Sequence, residues 1–459
     1  MNRIEEKKRL HWSYVIVDLV AVNISFLLFD VFRHNFLPSN VGMPMADYLL
    51  SPKVLFEQIL IGPCMLALYW VSGYYNNVLD KSRLQELFQT VTCGFIAALL
   101  LYAAMLLNDK MGRRREDYEL FFVLFGLLFA IPYIGRLAIT SYTIWRFKHK
   151  NLHYRTVVVG RQREARAMAR RLQADPRTAR HEVVDILPME PEAVAALADR
   201  KDIDVVVLAV KQHNESRVME TLFKLFPMNI PVKISPDNVT FMTSAIRLND
   251  VYGEPLIDLS TPRLSESSKN IKRVVDVMAS ALALVVLSPV MTLFALLIKA
   301  GSKGPVFYSQ ERIGRHHKPF KIYKFRSMTV EAEAAGPQLS SDSDPRVTPI
   351  GRVMRKYRID ELPQFWNVIK GDMSLVGPRP ERAYFIRQIV KRVPYYTLLH
   401  QVRPGITSWG MVKYGYAKNI DEMVKRSKFD IIYLSNMSLA MDLKIMIHTV
   451  KTIITGKGV

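Results

Sequence analysis

The chain has 459 residues, 49% of them hydrophobic, and 63 Lys/Arg against 42 Asp/Glu give a net charge of +21. That length holds two or three domains, and the charge points to anionic partners: nucleic acid, acidic headgroups or phosphorylated small molecules. So apolar a composition beside so much charge argues against an ordinary soluble protein. Cys64 and Cys93, the two cysteines, sit in apolar runs and exclude a disulfide framework, a zinc site or a thiol nucleophile in a polar setting.

Lys7, Lys8 and Arg9 precede an apolar run as in a signal peptide, but no small-residue cleavage site follows, so the run reads as an uncleaved first span. Four runs, Ser13–Phe32, Val54–Tyr74, Leu87–Leu107 and Leu120–Trp145, each reach the roughly 20 residues that cross a bilayer. Residues 1–148 are therefore expected to form four transmembrane helices. Basic residues at both ends place both ends in the cytoplasm, although the loop with Lys110, Arg113, Arg114 and Arg115 falls on the other side in this topology. Asp18, Asn23 and Asp30 lie inside the first run and are expected to face the bundle or the interface.

The character changes after Leu152. "YRTVVVG", "DIDVVVLAV" and "IPVKIS" read as strands, and "REARAMARRLQ" and "SRVMETLFKLF" as amphipathic helices. Alternation of this kind predicts a small Rossmann-like α/β domain over 149–262. A dinucleotide fingerprint needs three glycines after the first strand. Gly160 stands alone there, so no nicotinamide cofactor is expected. A polar linker, "TPRLSESSKN", leads to a third domain over 267–459. Residues 272–457 hold 30 Lys/Arg against 14 Asp/Glu, so most of the excess charge lies here.

This domain opens with an apolar stretch, about 272–300, long enough to span. Ser288-Pro289 falls in its middle, where proline removes an amide donor. Both flanks are basic: Lys272 and Arg273 before, Lys299 and Lys303 after. A re-entrant helix with both ends on the cytoplasmic face satisfies these features; a fifth, kinked span is the alternative.

Next comes "VFYSQERIGRHHKPFKIYKFRSM", two strands about a glycine-containing turn, with Lys324 and Arg326 on one face. His316-His317 reads as loop or surface. Arg355 and Arg358 lead to the adjacent acids Asp360 and Glu361. "DELPQFWNVIKG" predicts a short helix with Asp360 at or near its N-cap and Gly371 as its stop. Arg379 in "SLVGPRP" and Arg403 in "VRPGITSWG" follow. Lys324, Arg326, Arg355, Arg358, Arg379 and Arg403 are the candidate phosphate ligands, since arginine meets phosphate bidentately. Taken alone, the acid pair also fits a simple helix cap. No nucleic-acid-binding signature accompanies the basic residues.

These residues resemble a known family. "KRVVD", Ser288-Pro289, "ERIG", "FKIYKFRSM", "DELPQFWNVIKGDMSLVGPRP", "VRPGIT" and "MDLKIMIHTVKTI" together resemble the monotopic phosphoglycosyl transferases, or bacterial sugar transferases. The four spans and α/β domain ahead of them resemble the large form. The resemblance implies a mixed α+β catalytic domain with a re-entrant membrane helix broken at Ser288-Pro289. It implies transfer of a sugar-1-phosphate from a UDP-sugar to undecaprenyl phosphate, with UMP released, for capsule, O-antigen or exopolysaccharide. Asp360 would be the nucleophile of a covalent phosphosugar intermediate and Glu361 would bind Mg²⁺. Arg355 and Arg379 would hold phosphates or the leaving nucleotide. The implied location is the bacterial inner membrane, among its lipids, with a cytoplasmic active site and no nucleic-acid partner. A homodimer is compatible with the large form. Ser408 departs from the glycine many members carry after "PGIT".

Overall fold

The computed structural model describes residues 3–36, 42–79, 81–108, 114–149, 152–174, 181–200, 202–209, 215–228, 230–234, 257–258, 264–329, 332, 336, 338 and 344–454. Lys110 and Arg113 of the basic loop lie outside them. The chain divides into two compact units, Met1–Leu152 with Ser265–Ile271, and His153–Leu264 with Lys272–Val459.

The first unit is a helical bundle. Its helices are α1 (Arg3–Phe36), the short α2 (Met45–Leu49), α3 (Pro52–Val71), α4 (Arg83–Asn108) and α5 (Arg114–Lys148). The four long ones carry stretches long and apolar enough to cross a membrane, as does α9 (Glu266–Gly301). Side chains such as Ile16, Ile59, Leu100 and Phe122 stay exposed, as lipid-facing groups do. The interior is polar at its centre. Arg136 is fully buried and grips Asp18 with two bonds, at 2.6 and 2.9 Å. Tyr75 donates to the same carboxylate at 2.7 Å. Glu86 accepts from Thr140 at 3.0 Å and from Tyr74, and Lys81 lies 3.3 Å from it. Asp18 thus faces the bundle and is paired, which is how a charge in lipid is made tolerable. The α3–α4 connector also holds the first turn of α9: Asn76 donates to Glu266 at 2.8 Å and Asn270 to the Trp70 carbonyl at 2.5 Å.

In the second unit, β1 (Tyr154–Gly160), β2 (His181–Leu187), β3 (Val205–Ala209), β4 (Val232–Ile234) and β5 (Ile257–Asp258) form one sheet in the order β2-β1-β3-β4-β5. The first four are parallel and β5 is antiparallel. Val157, Val159, Val206 and Leu208 pack under α7 (Pro191–Ala195) and α8 (Glu215–Leu225), while α6 (Gln162–Ala174) follows β1. The sequence reading found β1, β3 and β4 and missed β2, whose residues are only half-buried. Gly160 has a structural reason: a Cβ there would run into the Ala209 carbonyl on β3. Its missing side chain lets two strands approach.

The remainder is built on α9. The helix continues through Pro289. Proline has no N–H for the Val285 carbonyl four residues back, and the Ser288 hydroxyl donates to that same carbonyl at 2.8 Å. Met278, Leu282, Val285 and Leu296 are exposed along it. Beyond it, β6 (Phe307–Ile313) and β7 (Pro319–Phe325) pair as an antiparallel hairpin. The helices α10 (Pro349–Lys356), α11 (Gln364–Lys370), α12 (Ala383–Arg392), α13 (Trp409–Lys413), α14 (Ile420–Ser435) and α15 (Leu439–Ile454) surround a short parallel pair, β8 (Ser374–Val376) and β9 (Gly405–Thr407). Polar stitches fix this frame. Asp276 of α9 accepts from Ser374 at 2.6 Å and from the Leu375 amide at 3.2 Å. Lys272 reaches Asp442 at 2.6 Å. Asn367 of α11 pairs with the backbone of β7 in both directions, at 3.0 Å from the Tyr323 amide and 2.7 Å to the Lys321 carbonyl.

Candidate active site

Asp360 and Glu361 occupy a 3₁₀ turn, Ile359–Glu361, between α10 and α11. Thr348 caps α10 by accepting from the Gly351 amide at 3.0 Å. The chain then reverses at Arg358, which has φ 54° and ψ 27°. A left-handed conformation is costly for a long side chain, and surrounding contacts must hold it. Here the Arg358 guanidinium donates to Glu361 at 3.2 Å. This corrects the expected helix cap. The residue before α11 is Pro363, so Asp360 precedes the helix start by four positions and does not cap it. Gly371 does end α11, at φ 100°.

Both acids are more than nine-tenths buried, yet their surroundings differ. Glu361 is fully engaged: Lys324 donates to one oxygen at 2.8 Å, Arg358 to the other, and Arg379 lies 3.6 Å away. Burial alone would push its carboxyl up; Lys324, Arg379 and Arg358 outweigh it and hold Glu361 well below the usual range. No hydrogen bond from the described residues reaches the Asp360 carboxylate, which lines a cavity of about 280 Å³. Burial raises its pKa above the ordinary carboxylate value, against the pull of Lys324 and with a push from ionised Glu361. One carboxylate is fixed and ionised, and its neighbour is open to whatever fills the cavity.

Of the candidate phosphate ligands, Lys324, Arg326, Arg355 and Arg379 line the same cavity. Arg355 donates to Ser327 at 3.0 Å. Arg379 approaches Tyr416 at 3.3 Å and the Met411 sulfur at 3.1 Å. Arg326 holds the end of α9 through its two terminal nitrogens, at 2.5 Å from the Lys303 carbonyl and 3.0 Å from that of Ser302, while its buried Nε has no partner among the described residues. Arg358 touches Glu361 and is absent from the cavity wall. Arg403 is also absent from that wall; its Nε donates to the Gly371 carbonyl at 2.9 Å, capping the C-terminal end of α11. Ser408 is fully buried and caps α13 by accepting from the Met411 amide at 3.0 Å, a bond glycine cannot make with a side chain. His316 is exposed, whereas His317 stacks on buried His400 at 4.4 Å.

Among the wall residues the sequence did not single out are Arg312, Glu381, Arg426 and Tyr416. Arg312 sits in the quoted "ERIG" and Glu381 directly follows "GPRP", so adjacency was their only signal. Arg426 and Tyr416 come from α14 and the segment before it, and no motif marks them.

The donor set suits Mg²⁺ in kind. Asp360 and Glu361 offer hard oxygens, and among the described residues no third Asp, Glu, His or Cys joins them in a metal-binding group. Mg²⁺ commonly uses one or two carboxylates and completes its shell with water and substrate phosphate. Because Lys324 and Arg358 occupy both Glu361 oxygens, a metal there would exchange with one of these cations.

Residues 267–456 match the family model described as bacterial sugar transferase. Over 188 residues the chain is 48% identical to UDP-N-acetylgalactosamine-undecaprenyl-phosphate N-acetylgalactosaminephosphotransferase of Aeromonas hydrophila, covering 41% of this chain and 44% of that protein. It is 36% identical over 247 residues to UDP-glucose:undecaprenyl-phosphate glucose-1-phosphate transferase of Escherichia coli, covering 53% of each. A UDP-glucose:undecaprenyl-phosphate glucose-1-phosphate transferase of Caulobacter vibrioides is 40% identical over 186 residues, which are 40% of this chain and 70% of that protein. The matches thus span about half the length of the first two relatives. With the turn carrying Asp360 and Glu361 inside the matched region, the chain belongs to the bacterial sugar transferase family.

Proposed function

We propose that this protein transfers a sugar-1-phosphate from a UDP-sugar to undecaprenyl phosphate and releases UMP. The observation that carries this reading is the Asp360 carboxylate, unbonded among the described residues, on a wall it shares with Lys324, Arg355 and Arg379. Cations of this kind suit a diphosphate, and an open carboxylate among them suits attack on phosphorus. The names of the relatives support the same donor and acceptor classes.

In the first step an Asp360 oxygen attacks the sugar-bearing phosphorus. A P–O bond to the carboxylate forms, the bond to UMP breaks, and UMP leaves with the electron pair. In the second step an oxygen of undecaprenyl phosphate attacks the same phosphorus, the carboxylate departs, and the lipid diphosphate sugar results. Arg355 and Arg379 hold phosphate oxygens and balance charge on the leaving nucleotide. Lys324 and Arg358 keep Glu361 ionised. Mg²⁺, held by Glu361, would supply charge neutralisation of the diphosphate.

We assign α9 a re-entrant path in the bacterial cytoplasmic membrane, bent at Ser288-Pro289, with the active site facing the cytoplasm. Basic residues at both ends support re-entry over crossing. The product would start a capsule, O-antigen or exopolysaccharide repeat unit. The test uses purified full-length protein, Mg²⁺, a panel of UDP-sugars and undecaprenyl phosphate. UMP release that disappears in Asp360→Asn is expected, with labelled phosphosugar retained on the wild-type protein when lipid is withheld. Release of UDP, or full activity in the variant, overturns the proposal.

A further inference from the structure

Next to Arg379 the cavity wall carries a further acid. Glu381 is 5% exposed and stands among three arginines. Arg426 donates to it at 2.6 Å, Arg312 at 3.4 Å, and Arg379 lies 3.9 Å away. Arg312 is anchored twice more, to the Pro380 carbonyl at 3.2 Å and to Gln310 at 2.7 Å. Its buried Nε has no hydrogen-bond partner among the described residues. Tyr416, half-buried, adds an aromatic ring to the same wall.

Resting on the proposed transfer of a sugar phosphate, we propose that Arg312, Glu381, Arg426 and Tyr416 form the seat of the donor's hexose ring and set which sugar is accepted. Three considerations carry this. First, position: the Arg379 guanidinium lies 3.6 Å from Glu361 through Nη2 and 3.9 Å from Glu381 through Nε. The Glu381 group is therefore one guanidinium away from the acid pair, about the reach of a hexose from its own phosphate. Second, chemistry: a phosphate is repelled by the Glu381 carboxylate, whereas a sugar hydroxyl both donates and accepts. A carboxylate flanked by guanidinium groups answers both roles. Third, shape: an aromatic ring in a cavity offers an apolar surface to the C–H face of a pyranose. Sites built on hydrogen bonds to substrate hydroxyls discriminate strongly, because a mismatched epimer leaves buried polar groups unpaired.

Glu381 is not assigned a part in the chemical step; its effect is to be read in the ratio of kcat/KM between donors. Wild-type, Glu381→Gln and Tyr416→Leu proteins are assayed for UMP release with UDP-glucose, UDP-galactose, UDP-N-acetylglucosamine and UDP-N-acetylgalactosamine. Inhibition by UMP, which lacks the sugar, is measured alongside. Glu381→Gln is expected to change the ratio between the preferred donor and its epimer by roughly tenfold or more. UMP inhibition should stay at the wild-type value. Tyr416→Leu, at a half-exposed position that tolerates change, should raise KM for every hexose donor while Tyr416→Phe retains it. Equal loss for all four donors, or weakened UMP inhibition in Glu381→Gln, assigns Glu381 to holding Arg379 and overturns the seat. Wild-type protein that releases no UMP with any donor removes the transferase reading and the seat together.

Discussion

In the membrane bundle, Asp18 and Glu86 face Arg136 and Lys81, two anions against two cations, and both oxygens of each carboxylate find a donor. Around the cavity, Asp360 and Glu381 share a wall with Arg312, Lys324, Arg326, Arg355, Arg379 and Arg426, Glu361 is paired with Lys324, and cations are in excess. Among the described residues there, the Asp360 carboxylate takes no hydrogen bond and the Nε–H groups of Arg312 and Arg326 have no partner. The two clusters bury similar chemistry to different ends. A charge-balanced set whose Asp18 and Glu86 carboxylates are bonded at every oxygen holds helices together in a medium that cannot solvate charge. An unbalanced set beside open volume is a request for a ligand of opposite charge.

That contrast can be broken at several points. The largest effect belongs to Asp360→Asn, which should lower transfer by roughly a thousandfold or more while thermal stability holds or rises. A stability loss of several kcal/mol with residual transfer would place Asp360 with the structural group. Arg136→Gln should do the opposite. Removing one partner of a buried pair costs about 3–5 kcal/mol, so the variant should lose folded protein in detergent unfolding assays. The kcat/KM per folded molecule should remain near wild type.

A smaller effect concerns pH. His400 is buried against His317, and burial first, then that neighbour, lowers its pKa to about 3 from the ordinary 6.5. The folded state therefore binds fewer protons than the unfolded state between those values. Stability should fall as pH drops below about 6.5, by roughly 1–2 kcal/mol at pH 5 from this group. Unfolding of His400→Leu across pH 7 to 5 should show a shallower slope; an unchanged slope removes His400 as a source. The smallest effect is Arg403→Ala. Loss of its bond to the Gly371 carbonyl should cost about 1 kcal/mol of stability. A marked rise in KM for the UDP-sugar would instead return Arg403 to the phosphate ligands the sequence suggested.

The four membrane helices and most of the α/β alternation were legible because each rests on a local period: long apolar runs in one case, strand and helix patterns in the other. Strand β2 was not, because half-buried "HEVVDIL" lacks a continuous apolar run. Asp360 and Glu361 stood out through adjacency within a basic tract, but their different states did not. The spacing also suggested a helix cap where the chain makes a 3₁₀ turn behind a left-handed Arg358. Propensity cannot foresee such a conformation, since only Glu361 and the surrounding contacts hold it. Arg403 and Arg326 look like phosphate ligands by type and context, and only their partners show the backbone carbonyls they cap.

Sequence by itself determined the family, the membrane character, the acid pair and the cationic surplus around it. All of these are carried by residue type and short spacing. Tertiary structure decided which cations face the cavity, why Asp18 is tolerated in the bundle, and that Glu381 and Arg426, 45 positions apart, share one bond. The physical reason is that charge balance and hydrogen-bond satisfaction are properties of neighbours in space. Only the folded chain brings those neighbours together.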